Sequence, residues 1–309
     1  MNASSPPAPS AIVAPPQRRV RRWTWLDSAL LLGCAAALAA LAWRAEGVFK
    51  YRWDWHTVWP FVLRFDAAQG RWVSNLLLDG LLTTLRLALF GIVAATFIGL
   101  VMGAARTSQR LLPRLISGAY VMLIRNIPPI VFVFVFVFFI ASQIMPALAI
   151  GQRLQTWSTT AQWWMSLAFG PPRLLDNFLL GLICLAVFSG AYVTEIVRAG
   201  LQSVPRTQIE AGDSLGFTPL DSLRFIVMPQ ALRNVLPPLA GQFIQLIKDS
   251  SLVSLVSIQE LSFAAQDVQV TTQRVFEVFV FVGALYFVLC FGLSRLFAGL
   301  ERRAARQSR

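Results

Sequence analysis

Lysine is almost missing from this 309-residue chain. It stands only at positions 50 and 248, and arginine supplies the rest of the 27 basic residues. A phosphate-cradling loop needs lysine within Gly-Lys-Ser/Thr, yet Phe49 and Ile247 precede the two lysines. The chain therefore has no Walker lysine. No catalytic residue is assigned, and the chain is not read as an enzyme. Histidine occurs once, at His56, with no Cys/His cluster around it, so no zinc or other metal centre is assigned. The cysteines are three, Cys34, Cys184 and Cys290, each inside an apolar run. There they act as small hydrophobes and not as a disulfide framework. Charge is scarce as well: 14% of residues are charged against 56% hydrophobic, with a mean hydropathy of +0.60. A soluble domain of this length needs a more highly charged surface. A bilayer removes that need, because the outer surface then faces lipid.

The net charge is +12. Nucleic acid is the usual partner of so basic a chain, but here the arginines gather at the chain ends and between apolar runs, the positive-inside distribution of a membrane protein. Membrane lipid, and no nucleic acid, is the expected surrounding. Crossing a bilayer takes ~20 apolar residues per helix, and six runs approach this: 26–43, 78–103, 121–144, 177–199, 236–258 and 275–297. The stretch "VFVFVFVFFI" at 131–140 has strand propensity, but an isolated strand in lipid leaves its backbone unpaired, so helix is predicted there too. The expected fold is an all-α polytopic membrane protein of about six transmembrane helices. The first run, behind "RRVRRW", also resembles a signal peptide; the long tail before it favours a retained helix.

Arg18, Arg19, Arg21 and Arg22 precede the first run, and Arg106, Arg110 and Arg114 follow the second. Arg198, Arg206, Arg224 and Arg233 follow the fourth, and Arg302, Arg303, Arg306 and Arg309 end the chain. Six crossings place all four groups on one side, which makes both termini cytoplasmic. The 45–74 loop fits less well, with Lys50, Arg52, Arg64, Arg71 and the bordering Arg44, but its "YRWDWHTVW" suits an interfacial aromatic belt. The organisation expected is a disordered basic tail at 1–25, an N-terminal transmembrane helix at 26–44, an extracytoplasmic loop at 45–74, a transmembrane domain at 75–300 and a cytoplasmic tail at 301–309.

Within that domain, 203–234 is unusually polar and punctuated. Pro205 is placed at the first helical position, and Gly216 suits the left-handed conformation after the helix end. Thr218-Pro219-Leu220-Asp221 reads as a capping box with proline at the first position. Leu220, Leu223 and Val227 share one face, and Pro229 ends or bends the second helix. The spacing predicts a helix–turn–helix in which Ala211 and Gly212 let another protein approach closely. From the residues alone, an amphipathic hairpin on the membrane surface is favoured over a docking element.

Glu210-Ala211, then Gly216, then Ile226-Val227-Met228-Pro229 resembles the EAA loop of ATP-binding-cassette importer permeases, with Gly212 in place of the third alanine and Met228 in place of leucine. The stretches "LLTTLRLALFGI", "LIRNIPPIVF", "GAYVTEIVRAGLQSVPRTQIEAG", "MPQALRNVLPPLAGQFI" and "IKDSSLVS" are similar to the polar amino-acid subfamily, and the likeness covers roughly 74–300. The resemblance implies a five-helix permease core plus the extra first helix, in a bacterial inner membrane. It implies as partners a cytoplasmic ATPase dimer, a second permease subunit, an extracytoplasmic solute-binding protein and an amino-acid substrate. ATP and magnesium then belong to the ATPase, and this chain binds no cofactor. Glu210, Ala211, Gly212, Gly216, Ile226 and Pro229 become the residues that form or shape the ATPase-coupling loop.

In the fifth run, Gln242, Gln245, Lys248 and Asp249 fall within an arc of about 120°. They are the candidate translocation path, since charge inside a span faces the bundle interior or water; helix or subunit contact is the equal alternative. Gly91, Ala95, Gly99 and Gly103 form a small-residue packing face. Glu195 and Arg198 form an ion pair, and Arg125-Asn126 before Pro128-Pro129 marks a helix start. An ion-gradient-driven secondary transporter is the alternative function, but it should show paired discontinuous helices in two repeat halves, and no such symmetry is present. An intramembrane enzyme needs a catalytic cluster within the spans, which the scattered acids do not supply.

Overall fold

The computed structural model describes residues 24–48, 51–68, 70–144, 150–154 and 156–307. The basic tail with Arg18, Arg19, Arg21 and Arg22, Lys50 in the following loop, and the final Arg309 lie outside them. The chain divides into two units, Met1–Trp53 and Asp54–Arg309. The described part of the first is essentially one helix, α1 (Trp25–Val48), whose apolar stretch is Trp25–Ala37.

The second unit opens with two short 3-10 turns and a two-stranded antiparallel ribbon. In it β1 (Leu63–Asp66) pairs with β2 (Arg71–Ser74), with Phe65 opposite Trp72. All other regular elements described are helical: α2 (Leu76–Thr107), α3 (Leu111–Asn126), α4 (Pro129–Val135), α5 (Ile150–Leu154), α6 (Thr159–Phe169), α7 (Leu175–Gln202), α8 (Arg206–Ser214), α9 (Pro219–Asp221), α10 (Met228–Asp249), α11 (Leu261–Thr272) and α12 (Val275–Gln307). The all-α expectation holds apart from the ribbon.

Helix α2 is organised inside out relative to a soluble helix. Leu89, Val93, Phe97, Leu100 and Val101 point outward, whereas Gly91, Ala95, Gly99 and Gly103 are buried. A Cβ on Gly103 would lie 2.6 Å from Val197 Cγ1, one on Gly99 would meet Val193, and one on Gly91 would lie 3.2 Å from Leu246 Cδ2. The stripe therefore lets α2 pack backbone-close against α7 and α10, as small residues do in lipid, where burying apolar surface gives no drive between helices. The largest core forms around it, from Leu87, Ile124, Phe132, Phe188, Leu246 and Ile258 among others. Cys184 is part of that core, Cys290 packs against it half-buried, and Cys34 is exposed on α1.

Three helical segments are long and apolar enough to cross a membrane: Leu76–Thr107, Pro172–Gln202 and Val275–Arg303. Two expected spans differ from their predictions. The 121–144 run is not one helix, because α3 stops at Asn126 and Pro129–Ile144 leaves it at 113°. Ile127 and Pro128, each followed by proline, take extended ψ values of 136°, as steric clash with the proline ring requires. The pair counts as one further, broken span. Past the break, 131–140 is helical as predicted, with a π turn at Phe136–Ala141. The 236–258 run is displaced: α10 begins at Met228, holds Pro237 and Pro238 in its interior and ends at Asp249, after which Ser250–Val256 is a 3-10 helix closed by Ser257 at φ 62°.

A buried polar knot ties α2, α11 and α12 together. Glu260 caps α11, and its carboxylate accepts from the backbone N–H of Ser262 (2.7 Å) and Phe263 (3.0 Å), from Thr84 Oγ1 (3.1 Å) and from Tyr286 Oη (2.7 Å). With every acceptor lobe engaged, a fully buried acid is tolerated. Glu277, also fully buried, accepts from the Asp54 N–H at 2.9 Å and holds the 54–62 segment against α12.

Candidate functional site

The 203–234 segment is a helical hairpin hung from the ends of α7 and α10. Its first helix starts one residue later than predicted, with Pro205 as the capping residue and Arg206 as the first helical one. Its end follows the expected chemistry. Gly216 sits at φ 82°, its N–H donates to Asp213 O at 3.0 Å, and the Phe217 N–H donates to Gly212 O at 3.1 Å. These are the two bonds of a Schellman motif. Two residues on, Thr218 and Asp221 form the predicted capping box: Asp221 N–H donates to Thr218 Oγ1 and Thr218 N–H to Asp221 Oδ2, both at 3.2 Å. The turn is thus satisfied by its own atoms at both helix ends.

Beyond the box the prediction fails. Ser222–Val227 is a π turn that runs into α10. Its wider winding breaks the expected 100° register, so Val227 is buried while Leu220 and Leu223 are exposed. The helical run continues through Pro229. Proline has no N–H to give to the carbonyl four residues back, and the widened turn lies directly before it.

The six coupling-loop residues separate into two groups. Gly212 is buried inside the hairpin, where an added Cβ would lie 2.5 Å from Ile226 Cδ1 and 3.3 Å from Ser222 Oγ. Its small size serves the hairpin's own packing, which corrects the expectation that it offers a close approach to another protein. Glu210 and Ala211 are exposed, and so are the apolar tips Leu215 (78%) and Leu220 (71%). The hairpin is held firmly at its neck. Val204, Val227 and Ala231 form a small core with Leu201 and Ile209 beside it. Asn234 Nδ2 donates to Ser203 Oγ at 2.7 Å, and Gln230 Nε2 donates to Gln208 Oε1 at 2.5 Å.

The polar face of α10 also divides. Gln245 Nε2 donates to Asp249 Oδ1 at 2.8 Å. Gln245 and Lys248 are exposed, Asp249 is half-buried, and Gln242 is buried. Gln242 lines a cleft of about 590 Å³ together with Arg125 and Tyr192, Glu195 and Arg198 of α7, and Ser203, Asn234 and Pro238. The Glu195–Arg198 pair forms as predicted, at 2.7 Å, and Arg106 Nε joins it from α2 at 2.8 Å. That third member was not legible, because 89 residues separate it from Glu195 in the chain. The capping role of Glu260 is not legible either, since glutamate is not among the usual residues at a helix N-cap.

Residues 81–306 match the family described as "Binding-protein-dependent transport system inner membrane component". The probable glutamine ABC transporter permease protein GlnM of Bacillus subtilis (strain 168) is 31% identical over 229 residues, covering 74% of this chain and 93% of that one. The glutamine transport system permease protein GlnP of Escherichia coli (strain K12) is 28% identical over 252 residues, covering 82% and 98%. Among solved structures, the crystal structure of an amino acid ABC transporter with histidines matches with a TM-score of 0.59 and 30% identity, over 74% of this chain and 94% of that one. With a permease-like bundle, a capped hairpin between two of its helices and this match over most of its length, the chain belongs to the family of inner membrane components of binding-protein-dependent transport systems.

Proposed function

We propose that this permease subunit serves an importer of a polar amino acid and that a separate cytoplasmic ATPase dimer drives it through the 203–234 hairpin. The observation that carries the reading is the contrast within that hairpin. Its turn is closed by its own hydrogen bonds and its neck is packed and bonded to α7 and α10, while Glu210, Ala211, Leu215 and Leu220 stand exposed at the surface. A rigid element with an uncovered apolar tip transmits force from whatever seats on it.

Closure of two ATPase subunits on ATP and magnesium would draw two such hairpins together. The movement would pass along α7 and α10, which are continuous with the neck, and switch the bundle between inward-open and outward-open states. Gly216 and Ile226 shape the hairpin, and Pro229 sets its junction with α10. The face of α10 bearing Gln242, Gln245, Lys248 and Asp249 then lines the route. Its support is that Gln245 and Lys248 are left uncovered by their own chain, a costly arrangement in lipid unless water or a second permease subunit faces them.

The amino-acid substrate is supported by the names of the relatives, and a solute-binding protein by the family. Cytoplasmic termini are supported by the arginine distribution, the first helix at 26–44 by its apolar run and the permease domain at 75–300 by the family resemblance. The test is co-expression with ABC-type ATPases, purification of the complex and uptake of labelled glutamine into vesicles. We expect one ATPase to co-purify and uptake to require ATP. Uptake at full rate from an ion gradient, with no ATPase attached to the hairpin, would refute the reading.

A further inference from the structure

The cleft beside the hairpin neck has a charge arrangement that coupling does not use. Three guanidinium groups, from Arg106, Arg125 and Arg198, converge on the neighbourhood of a single carboxylate, Glu195. Arg106 and Arg198 are engaged by Glu195, and Arg198 also donates to Gln202 Oε1. Arg125 is held differently. Its guanidinium lies 5.4 Å from the centre of the Tyr192 ring, and it makes no ion pair among the described residues. Stacking of this kind fixes the plane of the fork and leaves its N–H groups free to donate.

Gln242, only 9% exposed, lines the same cleft. Gln242 makes no hydrogen bond among the described residues, and its amide is accessible and not sealed in the core. The cleft thus presents an unspent planar donor, a second donor in its lining and an excess of positive charge.

We propose that this cleft binds an oxyanion, a carboxylate or phosphate group, with Arg125 as its bidentate donor and the Gln242 amide as the second. Bidentate pairing is what the guanidinium fork does best. The occupant bridges α3, α7 and α10 and stiffens the helices from which the hairpin hangs. It comes either as a free anion or as the headgroup of an anionic phospholipid, whose chains would run along the exposed Met122 and Leu123 of α3. Gln242 is shared with the α10 face assigned above to the substrate route, so binding is measured with no amino acid and no ATPase present.

The full-length chain in nanodiscs of neutral phosphatidylcholine is titrated with inorganic phosphate and with acetate against chloride at constant ionic strength. A parallel series raises the fraction of phosphatidylglycerol. The thermal midpoint is followed, and native mass spectrometry counts retained phosphatidylglycerol. A saturable rise with phosphate or acetate assigns a free anion, and a rise with phosphatidylglycerol alone assigns a headgroup. Loss of one charge-assisted donor weakens binding roughly tenfold or more, so R125Q shifts the titration by that factor. R125K, which keeps charge without the fork, shifts it about threefold and carries the test if R125Q does not assemble. Absence of any saturable rise in the wild type, or equal binding in wild type and both variants, overturns the proposal. Uptake plays no part in the readout, so a failed transport assay leaves this result standing.

Discussion

Helices α2 and α10 each carry a stripe of residues on one face that the sequence marks out from the rest of the helix. On α2 the stripe is Gly91, Ala95, Gly99 and Gly103, and the chain's own α7 and α10 cover it completely. On α10 the stripe is Gln242, Gln245, Lys248 and Asp249, and the chain covers only Gln242 fully. The difference shows what each stripe is for. Small residues give close packing, which a single chain can complete, whereas charged and amide groups left open in a membrane protein need water, substrate or another subunit. The hairpin repeats the division on a smaller scale, with Gly212 spent on internal packing and Ala211 beside it left open.

Breaking the closed stripe should have the largest effect. Gly99→Leu forces a side chain into Val193; it is expected to cost about 3 kcal/mol and to eliminate monodisperse protein on size exclusion. Unchanged thermal stability would mean that α2 and α7 are not in backbone-close contact. Glu260→Ala should follow closely. It removes the acceptor of Thr84, Tyr286 and two backbone N–H groups, an expected loss of about 2 kcal/mol, read as a lowered midpoint in detergent. A midpoint equal to wild type would dissolve the proposed knot.

In the hairpin, Gly216→Ala places a side chain at φ 82° and should cost about 1 kcal/mol, while Ala211→Trp at the exposed position should change stability by no more than about 0.5 kcal/mol. If the exposed surface is the ATPase seat, the second variant should nevertheless lose ATPase co-purification, and its retention would sink that assignment. The smallest stability effect is expected for Lys248→Met, whose side chain is exposed. It should leave the midpoint unchanged and reduce uptake, and unaltered uptake with unaltered assembly would remove Lys248 from the route.

Legibility followed how local the determining interaction is. The capping box and the Gly216 turn were read correctly because each is decided by bonds spanning a few residues. The broken third span is also marked locally, by Pro128-Pro129, against the apolar continuity of 121–144. The π turn at Ser222–Val227 was missed because i to i+5 bonding has no compositional mark, and with it went the Leu220–Leu223–Val227 face. Arg106 on Glu195, and Thr84 and Tyr286 on Glu260, join residues far apart in the chain, and no spacing rule reaches them.

By itself the sequence determined the solvent, the helical class and the hairpin's internal turn, since scarcity of charge, run length and capping chemistry each act without reference to the rest of the chain. Only the tertiary structure decided which members of each stripe are covered, where the helices break and which arginines share one carboxylate. Those outcomes depend on the volume and donors that distant segments bring to the same place, and that is a property of packing.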